Sequence, residues 1–526
     1  MKWLFRKSKW IHKYLGLFLI LYSVLMGFTG IFVNHPGLID GFSVPRWLAP
    51  SQYDVQNWNR GSLAQVYFSK KDPLVAYFSG SEGVWKTIDG GASFHAMNSG
   101  YAHSPYLRQT YSILLLERET GDILFAGSEG GLFVCDPHEE HWKQVNLQEG
   151  NEQAVRSVLL VGDKVLAFTD SDVFQADATA GEPVFRQVQV SRDVPDDVLK
   201  YQKLPLVLFF FDLHSGAIFG LPGKLIVDIT GVIIIFLSFS AFYLWYYPRK
   251  RRNARKKSRR PGKSKLAHSI FRKLFNYHLK IGIWVAVILF TLSGTGLFMR
   301  PPLIILLSLG SVPAWMHPGT PSADSWKGRI RRAVYDSYNH RIIIEGLDGF
   351  WAAPEDLSEP FHTINFNVPI HVMGSNVLLA AEDNRIIAGS FSGVFSLDCK
   401  SGLVTDLTTG KPPHNVSLMR LSKHMISGYF RSPEGVEYIA DFHKGLQLLP
   451  EAIPSEAYPM PEELSQNARL PLWNYMFELH NSRFFRDWVG EWYRLIPPLG
   501  SLLFLLLTVT GIYDWIYLKA VPHRHE

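Results

Sequence analysis

Four long apolar stretches constrain the fold of this chain more than any other feature. They cover about 15–33, 225–247, 281–299 and 495–518. Each is long and uncharged enough to cross roughly 30 Å of hydrocarbon. Asp228 lies near one end of the second stretch. We therefore predict a membrane protein with four transmembrane helices and two large loops of about 175 residues each.

Basic residues predict the orientation of these helices. The segment before the first stretch contains five Lys and Arg residues, and the run 248–280 contains about fourteen with no acidic residue. Both segments are therefore expected in the cytoplasm. This predicts a bacterial inner-membrane protein with both termini in the cytoplasm and both large loops in the periplasm. The basic run beside a membrane helix favours contact with anionic lipid, so no nucleic-acid partner is predicted.

These expectations give a complete domain order. It is 1–14 cytoplasmic N-terminus, 15–33 first transmembrane helix, 34–210 periplasmic β-repeat loop, 211–247 outer histidine segment with second helix, 248–280 basic cytoplasmic loop, 281–299 third helix, 300–475 second periplasmic β-repeat loop, 476–518 outer histidine segment with fourth helix, and 519–526 cytoplasmic tail. The first apolar stretch leads into Asn34-His35-Pro36 instead of a small-residue cleavage site, so it is interpreted as a retained helix.

Both loops contain a recurring pattern of a β-branched strand, a small turn and a hydrophobic pair. It occurs at 75–85, 123–133, 165–174, 341–350, 385–395 and 438–446. The spacing of roughly 41–51 residues is typical of a four-stranded propeller blade. Three repeats per loop predict a mainly-β, propeller-like ectodomain of about six blades closed by both loops together, since a half-ring leaves strand edges unpaired. Two separate sandwiches are the alternative.

Two local features of the loops limit their chemistry. The segment Thr87–Phe94 resembles the Asp-box turn of sialidase-type blades, which usually stabilises the turn and does not indicate catalysis. Only two cysteines occur, Cys135 and Cys399, so zinc or iron–sulfur ligation by cysteine is excluded on count. The two thiols either pair or are buried as small apolar residues. The ectodomain is either a docking platform or a substrate-binding domain.

The membrane segments carry an internal duplication, in a 2+2 arrangement, with a histidine at each membrane edge. The stretch His12–Gly16, with Thr29-Gly30 further along, recurs as His278–Gly282 with Thr295-Gly296. The stretch Phe211–His214 recurs as Phe477–His480. A single histidine in such a place is usually an interfacial residue reaching water. Two matched pairs at opposite faces instead favour ligation of a metal.

Neutral imidazole is the commonest protein ligand for metals, and paired imidazoles at the two faces suggest two bis-histidine haems across the bilayer. Gly16 and Gly282 follow their histidines by four residues, on the same helix face, where a flat macrocycle needs space. His35 is left out of the ligand set because its counterpart region, Met299-Arg300-Pro301, contains no histidine. The carboxylates two residues before the outer histidines, Asp212 and Glu478, receive no role.

These motifs resemble the PepSY-associated transmembrane helix family, which includes di-haem ferric-siderophore reductases and other iron-uptake-associated membrane proteins. The matching elements are His-x-x-x-Gly and Thr-Gly in the first and third helices, Leu213-His214-Ser-Gly216 with Gly220-Leu-Pro-Gly223, and Thr510–Trp515. They occur in all four stretches but make up about a fifth of the chain. The segment Leu479–Ser482 lacks the glycine that follows His214, and neither loop contains a recognisable PepSY module.

The resemblance implies a four-helix core with two b-type haems that carries electrons outward to a periplasmic ferric acceptor. It implies that His12 and His278 hold the inner haem iron and that His214 and His480 hold the outer one. We therefore expect a haem-dependent oxidoreductase, with ferric siderophore or another ferric chelate, or a periplasmic protein, as partner. No dinucleotide fingerprint is present, so a cytoplasmic reductase or a quinol is the expected donor.

Two other functions remain as alternatives. One is a non-enzymatic receptor or assembly factor whose helices only anchor the propeller in lipid. The other is a transporter, which is less favoured because the apolar stretches lack the charges and broken half-helices expected along a transport path.

Overall fold

The computed structural model describes residues 2–147, 153–181, 183–256, 265–414, 416 and 421–520. It divides into two compact units, which we call the membrane unit and the β unit. The membrane unit consists of Met1–Ile39, Lys200–Thr320 and Trp473–Glu526, and the β unit consists of Asp40–Leu199 and Pro321–Leu472. The two insertions that form the β unit correspond to the two large loops.

The described helices are α1 (Lys2–Phe18), α2 (Ile20–Asn34), α3 (Asp196–Lys200), α4 (Leu206–Ser215), α5 (Gly220–Lys256), α6 (Lys265–Trp284), α7 (Ala286–Phe298), α8 (Ile304–Ser308), α9 (Glu462–Asn467), α10 (Leu472–His480), α11 (Arg486–Val489) and α12 (Ile496–Ala520). The described strands are β1 (Ser43–Val44), β2 (Gln65–Phe68), β3 (Ala76–Gly80), β4 (Gly83–Thr87), β5 (His95–Ala96), β6 (Thr110–Leu116), β7 (Ile123–Ser128), β8 (Gly131–Asp136), β9 (His141–Val145), β10 (Val155–Val161), β11 (Lys164–Thr169), β12 (Val173–Asp177), β13 (Arg186–Val188), β14 (Lys203–Pro205), β15 (Ser311–Pro313), β16 (Ile330–Asp336), β17 (Arg341–Gly346), β18 (Gly349–Pro354), β19 (His362–Ile364), β20 (Ser375–Ala381), β21 (Arg385–Ser390), β22 (Gly393–Asp398), β23 (Val404–Asp406), β24 (Ile426–Arg431), β25 (Glu437–Asp441), β26 (Gly445–Leu448), β27 (Ile453–Pro454) and β28 (Leu470–Pro471).

The membrane unit is built from helices apolar on most of their surface. Two described helical spans, Ala217–Ala254 and Arg483–Ala520, are long and apolar enough to cross a membrane. The number rises to four if α1 with α2, and α6 with α7, each form one span. The chain is thus a membrane protein with two, or up to four, candidate membrane helices.

The odd-numbered apolar stretches are broken, and the expectation of unbroken spans is wrong there. α1 and α2 meet at 61°, and α6 and α7 meet at 62°. The residues at the breaks are Leu19, with φ −86° and ψ 0°, and Val285, with φ −95° and ψ 1°. The break residues keep single hydrogen bonds to the residue four positions earlier, from Leu19 N to Leu15 O at 2.9 Å and from Val285 N to Ile281 O at 3.1 Å. The breaks remove one reason for disfavouring a transporter, the expected lack of broken helices, while the shortage of charges in the apolar stretches remains.

Small residues allow the helices to pack closely. A Cβ on Gly27 of α2 would lie 2.8 Å from the carbonyl oxygen of Gly231 in α5, and a Cβ on Gly231 would lie 3.0 Å from the Gly27 oxygen. Such close backbone approach is how helices associate in lipid, where no hydrophobic driving force acts between them. α7 and α1 pack against α12, and α6 packs against α5.

The β unit confirms the mainly-β expectation, and apart from the two-stranded sheet of β1 and β28 its described strands form propeller-like blades. Blades 1 to 6 are β2–β5, β6–β9, β10–β13, β16–β19, β20–β23 and β24–β27, each four-stranded and antiparallel. Each blade contains fully buried strands that are separated by short turns. In β7, for example, Ile-Leu-Phe-Ala-Gly-Ser is buried throughout, as expected for a strand with a core on each face. Three blades come from each insertion.

Buried cores between neighbouring blades close the ring. Phe168 of blade 3 and Ile342 of blade 4 share one core, which joins the two insertions. Phe78 of blade 1 and Phe430 of blade 6 share another, with ring centroids 5.6 Å apart. β2 also pairs in parallel with β24. These continuous cores exclude two separate sandwiches.

The Asp-box segment has a turn-stabilising role. It lies between β4 and β5, where Asp89 accepts hydrogen bonds from the Ser93 backbone N–H at 2.9 Å and from the Thr87 hydroxyl at 2.8 Å. Hydrogen bonds from Ser93 lower the pKa of Asp89 to about 2. The two cysteines are free, and they lie in different inter-blade cores.

Candidate functional site

The outer histidines each lie at the end of a short helix. His214 is at the end of α4, and the following Gly216 has a left-handed φ of 80°. His480 is the last residue of α10, and Ser482, at the equivalent position, has a φ of 62°. The missing glycine noted in the sequence is therefore a serine in the same left-handed conformation, at some cost in backbone strain.

A second pair of glycines aligns the helices that follow. Gly220 has φ 62° and ψ −147°, and Gly490 has φ 58° and ψ −146°, a region that only glycine adopts readily. Gly220 lies six positions after His214, whereas Gly490 lies ten positions after His480. The four extra residues fall in the segment that contains α11. Counted from these glycines, α5 and α12 have Tyr and Trp at the same positions, 23 and 25 residues further along.

The outer histidine rings face each other. The ring centroids of His214 and His480 are 6.3 Å apart and the ring planes are inclined by 65°. Both rings line a cavity of about 390 Å³ within the membrane unit. A cavity of this size is in the range of cofactor sites.

The outer pair has matched hydrogen bonds to threonine. The Thr295 hydroxyl of α7 lies 2.9 Å from His214 Nδ1, and the Thr29 hydroxyl of α2 lies 2.9 Å from His480 Nδ1. These are the threonines of the two Thr-Gly motifs. Each histidine therefore contacts a helix from the other half of the chain.

The inner histidines have the same kind of partner. The Thr510 hydroxyl of α12 lies 3.3 Å from His12 Nδ1, which also lies 3.0 Å from the Leu507 carbonyl oxygen. The Ser240 hydroxyl of α5 lies 2.8 Å from His278 Nδ1. The helices that carry these two histidines, α1 and α6, both pack against α12.

The hydroxyl partners determine the tautomer of the four rings. Each hydroxyl has one hydrogen, and it is donated to a carbonyl of its own helix: Thr295 to Thr291 O at 2.7 Å, Thr29 to Leu25 O at 2.7 Å, Thr510 to Leu506 O at 2.9 Å and Ser240 to Leu237 O at 2.9 Å. The hydroxyl oxygen must then accept from Nδ1–H. Nε2 of each neutral ring is consequently the free base, and it makes no hydrogen bond within the described part of the chain.

Small residues beside the hydroxyls provide space for the rings. A Cβ on Gly296 would lie 3.3 Å from His214 Cε1, and one on Gly30 would lie 3.4 Å from His480 Cε1. A Cβ on Gly511 would lie only 2.9 Å from His12 Cε1. By contrast, a Cβ on Gly16 would make an ordinary contact with Leu507 at 3.5 Å, and one on Gly282 would meet nothing within 4 Å. The glycines that contact the imidazoles are thus those after the hydroxyl residues, while Gly16 and Gly282 retain a predicted role only.

The carboxylates near the outer histidines are bound by other side chains. Asp212 lies 2.9 Å from His317 Nε2, and the buried Glu478 accepts from Arg483 Nε at 2.7 Å. His35 Nε2 lies 2.5 Å from Asp228, so this ring is already engaged. None of these carboxylates orients the outer imidazoles.

The four histidines do not form a conventional protein-only metal site. The described residues contain no cluster of three or more His, Cys, Asp or Glu that could hold an ion. An imidazole nitrogen binds metal at about 2 Å and lies about 1.2 Å from its ring centre, so two rings on opposite sides of one iron have centres roughly 6 to 6.5 Å apart. The outer rings, 6.3 Å apart, have the separation of two imidazoles on one metal ion, whose other ligands would have to come from outside the described residues.

Solved structures with resemblance to the chain have low identity to it. The extracellular domain of a one-component system of B. thetaiotaomicron is 8% identical, covers 76% of this chain and 40% of its own, and has a TM-score of 0.32. PorZ from the type-IX secretion system of Porphyromonas gingivalis is 11% identical, with 76% and 32% covered and a TM-score of 0.32. A β-propeller domain from Myceliophteria thermophila is 9% identical, with 74% and 86% covered and a TM-score of 0.31.

The chain spans about two fifths of the first of these structures, so the propeller description rests on its own strands. No curated protein sequence matches it. A family described as the PepSY-associated TM region matches residues 9–517, which include all four histidines and every apolar stretch. The chain therefore belongs to the PepSY-associated TM region family.

Proposed function

We propose that this chain is a di-haem b-type electron-transfer protein that passes electrons from a cytoplasmic reductase or a quinol to a periplasmic ferric acceptor, such as a ferric siderophore. One observation carries the proposal: the His214 and His480 rings lie 6.3 Å apart, on one cavity, with Nε2 as the free base of each. The inner pair, His12 and His278, has the same protonation pattern. Because hydrocarbon is about 30 Å thick, one cofactor cannot serve both faces and two are required.

The orientation and the internal duplication form part of the proposal. The basic segments before α2 and after α5 favour a bacterial inner membrane with both termini in the cytoplasm and the β unit in the periplasm. The equal bends at Leu19 and Val285 and the matched glycines Gly220 and Gly490 support a 2+2 arrangement of four spans.

The residues of the chain have distinct tasks in this proposal. When bound, haem supplies one-electron chemistry at its iron. The four imidazoles would hold the haem iron through Nε2. The hydroxyls accept from Nδ1–H, which fixes the orientation of each ring and raises the basicity of its Nε2. Reducing the acceptor weakens its bonds to hard oxygen ligands, which releases Fe(II).

The test is the haem content of the purified full-length protein and of its histidine variants. We expect a reduced spectrum with split α/β bands and about two haems per chain. Replacing any one of His12, His278, His214 or His480 by alanine is expected to remove one haem. The double variant of His214 and His480 should lose no more than either single variant, because both changes remove the same site. His268→Ala, an exposed histidine on α6, is the matched control.

A non-enzymatic receptor is the second candidate. A cavity of about 650 Å³ in the β unit supports it, with the charged residues Glu129, Arg156, Asp170, Asp172 and Lys327 on its walls. A receptor of this kind predicts colourless protein from haem-replete cells. Replacement of the four histidines would then leave iron-limited growth unchanged, whereas changes in the β unit would abolish it.

A further inference from the structure

The cavity of the outer histidines contains hydrogen-bond donors that have no acceptor. Arg300 Nε and Asn481 Nδ2 are buried and make no hydrogen bond within the described residues. Both side chains line the same cavity as His214 and His480. Leaving a buried donor unsatisfied is costly, and more so for a charged group. The protein therefore maintains two unsatisfied donors on a wall of this cavity.

The Arg300 side chain is fixed in place by its neighbour. Arg300 Nη2 donates to the Asn481 backbone oxygen at 2.6 Å and to Asn481 Oδ1 at 3.2 Å. The same Oδ1 accepts from the Arg483 backbone N–H at 2.9 Å. With Oδ1 used twice, the amide orientation is set and Nδ2 is left available. The free edges of the guanidinium and the amide thus belong to one rigid assembly.

The other charged groups at this end of the unit are compensated. Asp228 is paired with His35 at 2.5 Å, and Glu478 is paired with Arg483. Arg300 makes no ion pair in the part of the chain that the structure describes. Its position in the duplicated pattern is that of Asn34, which donates to Asp228 at 3.3 Å, whereas no carboxylate of the described residues lies within ion-pair distance of Arg300. Arg300 therefore brings to this cavity wall a guanidinium that has no ion pair of its own, beside Asp228, whose carboxylate is bonded to His35.

We propose that Arg300 and Asn481 bind a carboxylate of the tetrapyrrole held by His214 and His480, that is, one propionate of the outer haem. This inference rests on the proposed function. A guanidinium presents parallel N–H donors that match a carboxylate, and charge-assisted bonds of this kind are stronger than neutral ones. Asn481 directly follows the ligand His480, so the carboxylate and the iron are bound by the same short segment.

The experiment compares haem b with its dimethyl ester, in which both propionates are neutral. Full-length protein from haem-starved cells is extracted in detergent and titrated with each compound, and outer-site binding is followed in a His278→Ala background. Arg300→Gln is expected to weaken binding of haem b by about 10- to 100-fold, as for loss of a charge-assisted hydrogen bond. It should change binding of the ester by less than about twofold. Arg300→Lys keeps the charge but loses the paired N–H donors of the guanidinium, so its affinity for haem b should lie between those of the wild type and Arg300→Gln.

Arg494→Gln is the matched control, because this arginine is exposed and paired with Glu491. A second readout is the reduction potential of the outer haem, which should fall in Arg300→Gln because a nearby positive charge disfavours the oxidised iron. Equal weakening of haem b and of the ester would overturn the proposal. Loss of co-purified phospholipid with unchanged haem affinity would also overturn it and assign Arg300 to a lipid headgroup. Failure of the wild-type protein to bind either compound would instead refute the proposed function itself.

Discussion

Replacement of Thr295 by valine tests the link between the Thr-Gly motif and the outer site. Valine has nearly the same shape as threonine but lacks the hydroxyl that accepts from His214 Nδ1–H at 2.9 Å. The change removes this acceptor and leaves the Leu292 backbone carbonyl as the remaining partner of the imidazole, so the ring is held less firmly. The change also removes the hydrogen bond from the Thr295 hydroxyl to its own helix, and a control variant must separate this effect from the loss of the histidine contact.

The expected size of the effect follows from two independent estimates. An unsatisfied buried polar group costs about 1–3 kcal/mol. Loss of a partner that orients a metal ligand typically costs 10- to 100-fold in affinity, which is about 1.4–2.7 kcal/mol. We therefore expect Thr295→Val to weaken binding of the outer haem by roughly 2 kcal/mol and to leave binding of the inner haem unchanged.

The assay is haem retention and haem titration of the purified protein, with Thr291→Val as the matched control. Thr291 lies one turn earlier on α7, and its exposed hydroxyl donates to the Val287 oxygen at 3.0 Å without contacting a histidine. Thr291→Val therefore removes an intrahelical hydrogen bond without removing a histidine contact. Thr295→Ser should restore most of the affinity. Equal effects of the valine changes at 295 and 291 would refute the role assigned to the hydroxyl.

Further predictions concern space, strain and pH. Gly511→Ala should lower inner-haem content, because its Cβ would lie 2.9 Å from His12 Cε1, whereas Gly282→Ala, with nothing within 4 Å, should leave the content unchanged in the same measurement. Ser482→Gly should raise thermal stability by about 1 kcal/mol, because glycine tolerates φ 62° without strain; an unchanged melting temperature would contradict this. Asp89 has a pKa lowered to about 2 in the folded protein, so the stability advantage over Asp89→Ala should be complete above about pH 4 and disappear towards pH 2, as followed by thermal melting across that range.

The sequence predicts the β unit well because each blade repeats the same local chemistry. A buried strand such as β7 and a glycine turn such as Gly131, with φ 115°, recur at a fixed period, and the period alone indicates blades. The bends at Leu19 and Val285 could not be predicted in this way. Neither residue is proline or glycine, so no local sequence signal marks the break.

The candidate site was predictable only in part. The repeated His-x-x-x-Gly and Thr-Gly motifs indicate which histidines are equivalent, but not that Thr295 and Thr29 contact rings distant in sequence. Ser240 was missed because it is followed by alanine and so lacks the Thr-Gly pattern. Its position twenty residues after Gly220, as Thr510 follows Gly490, was the available signal. It became useful only once the positive φ of both glycines aligned α5 with α12.

The four histidine–hydroxyl bonds also explain why the two halves of the chain belong together. His214 and His12 lie in the first half, and their hydroxyl partners are Thr295 and Thr510 in the second. The reverse holds for the second half, where His480 and His278 bond to Thr29 and Ser240 of the first. Neither half contains both the ring and the acceptor that fixes its tautomer. An interfacial histidine that only reaches water needs no such partner. The reciprocal exchange at all four positions therefore favours ligation over interfacial anchoring, and it means that neither site is complete until both halves have packed.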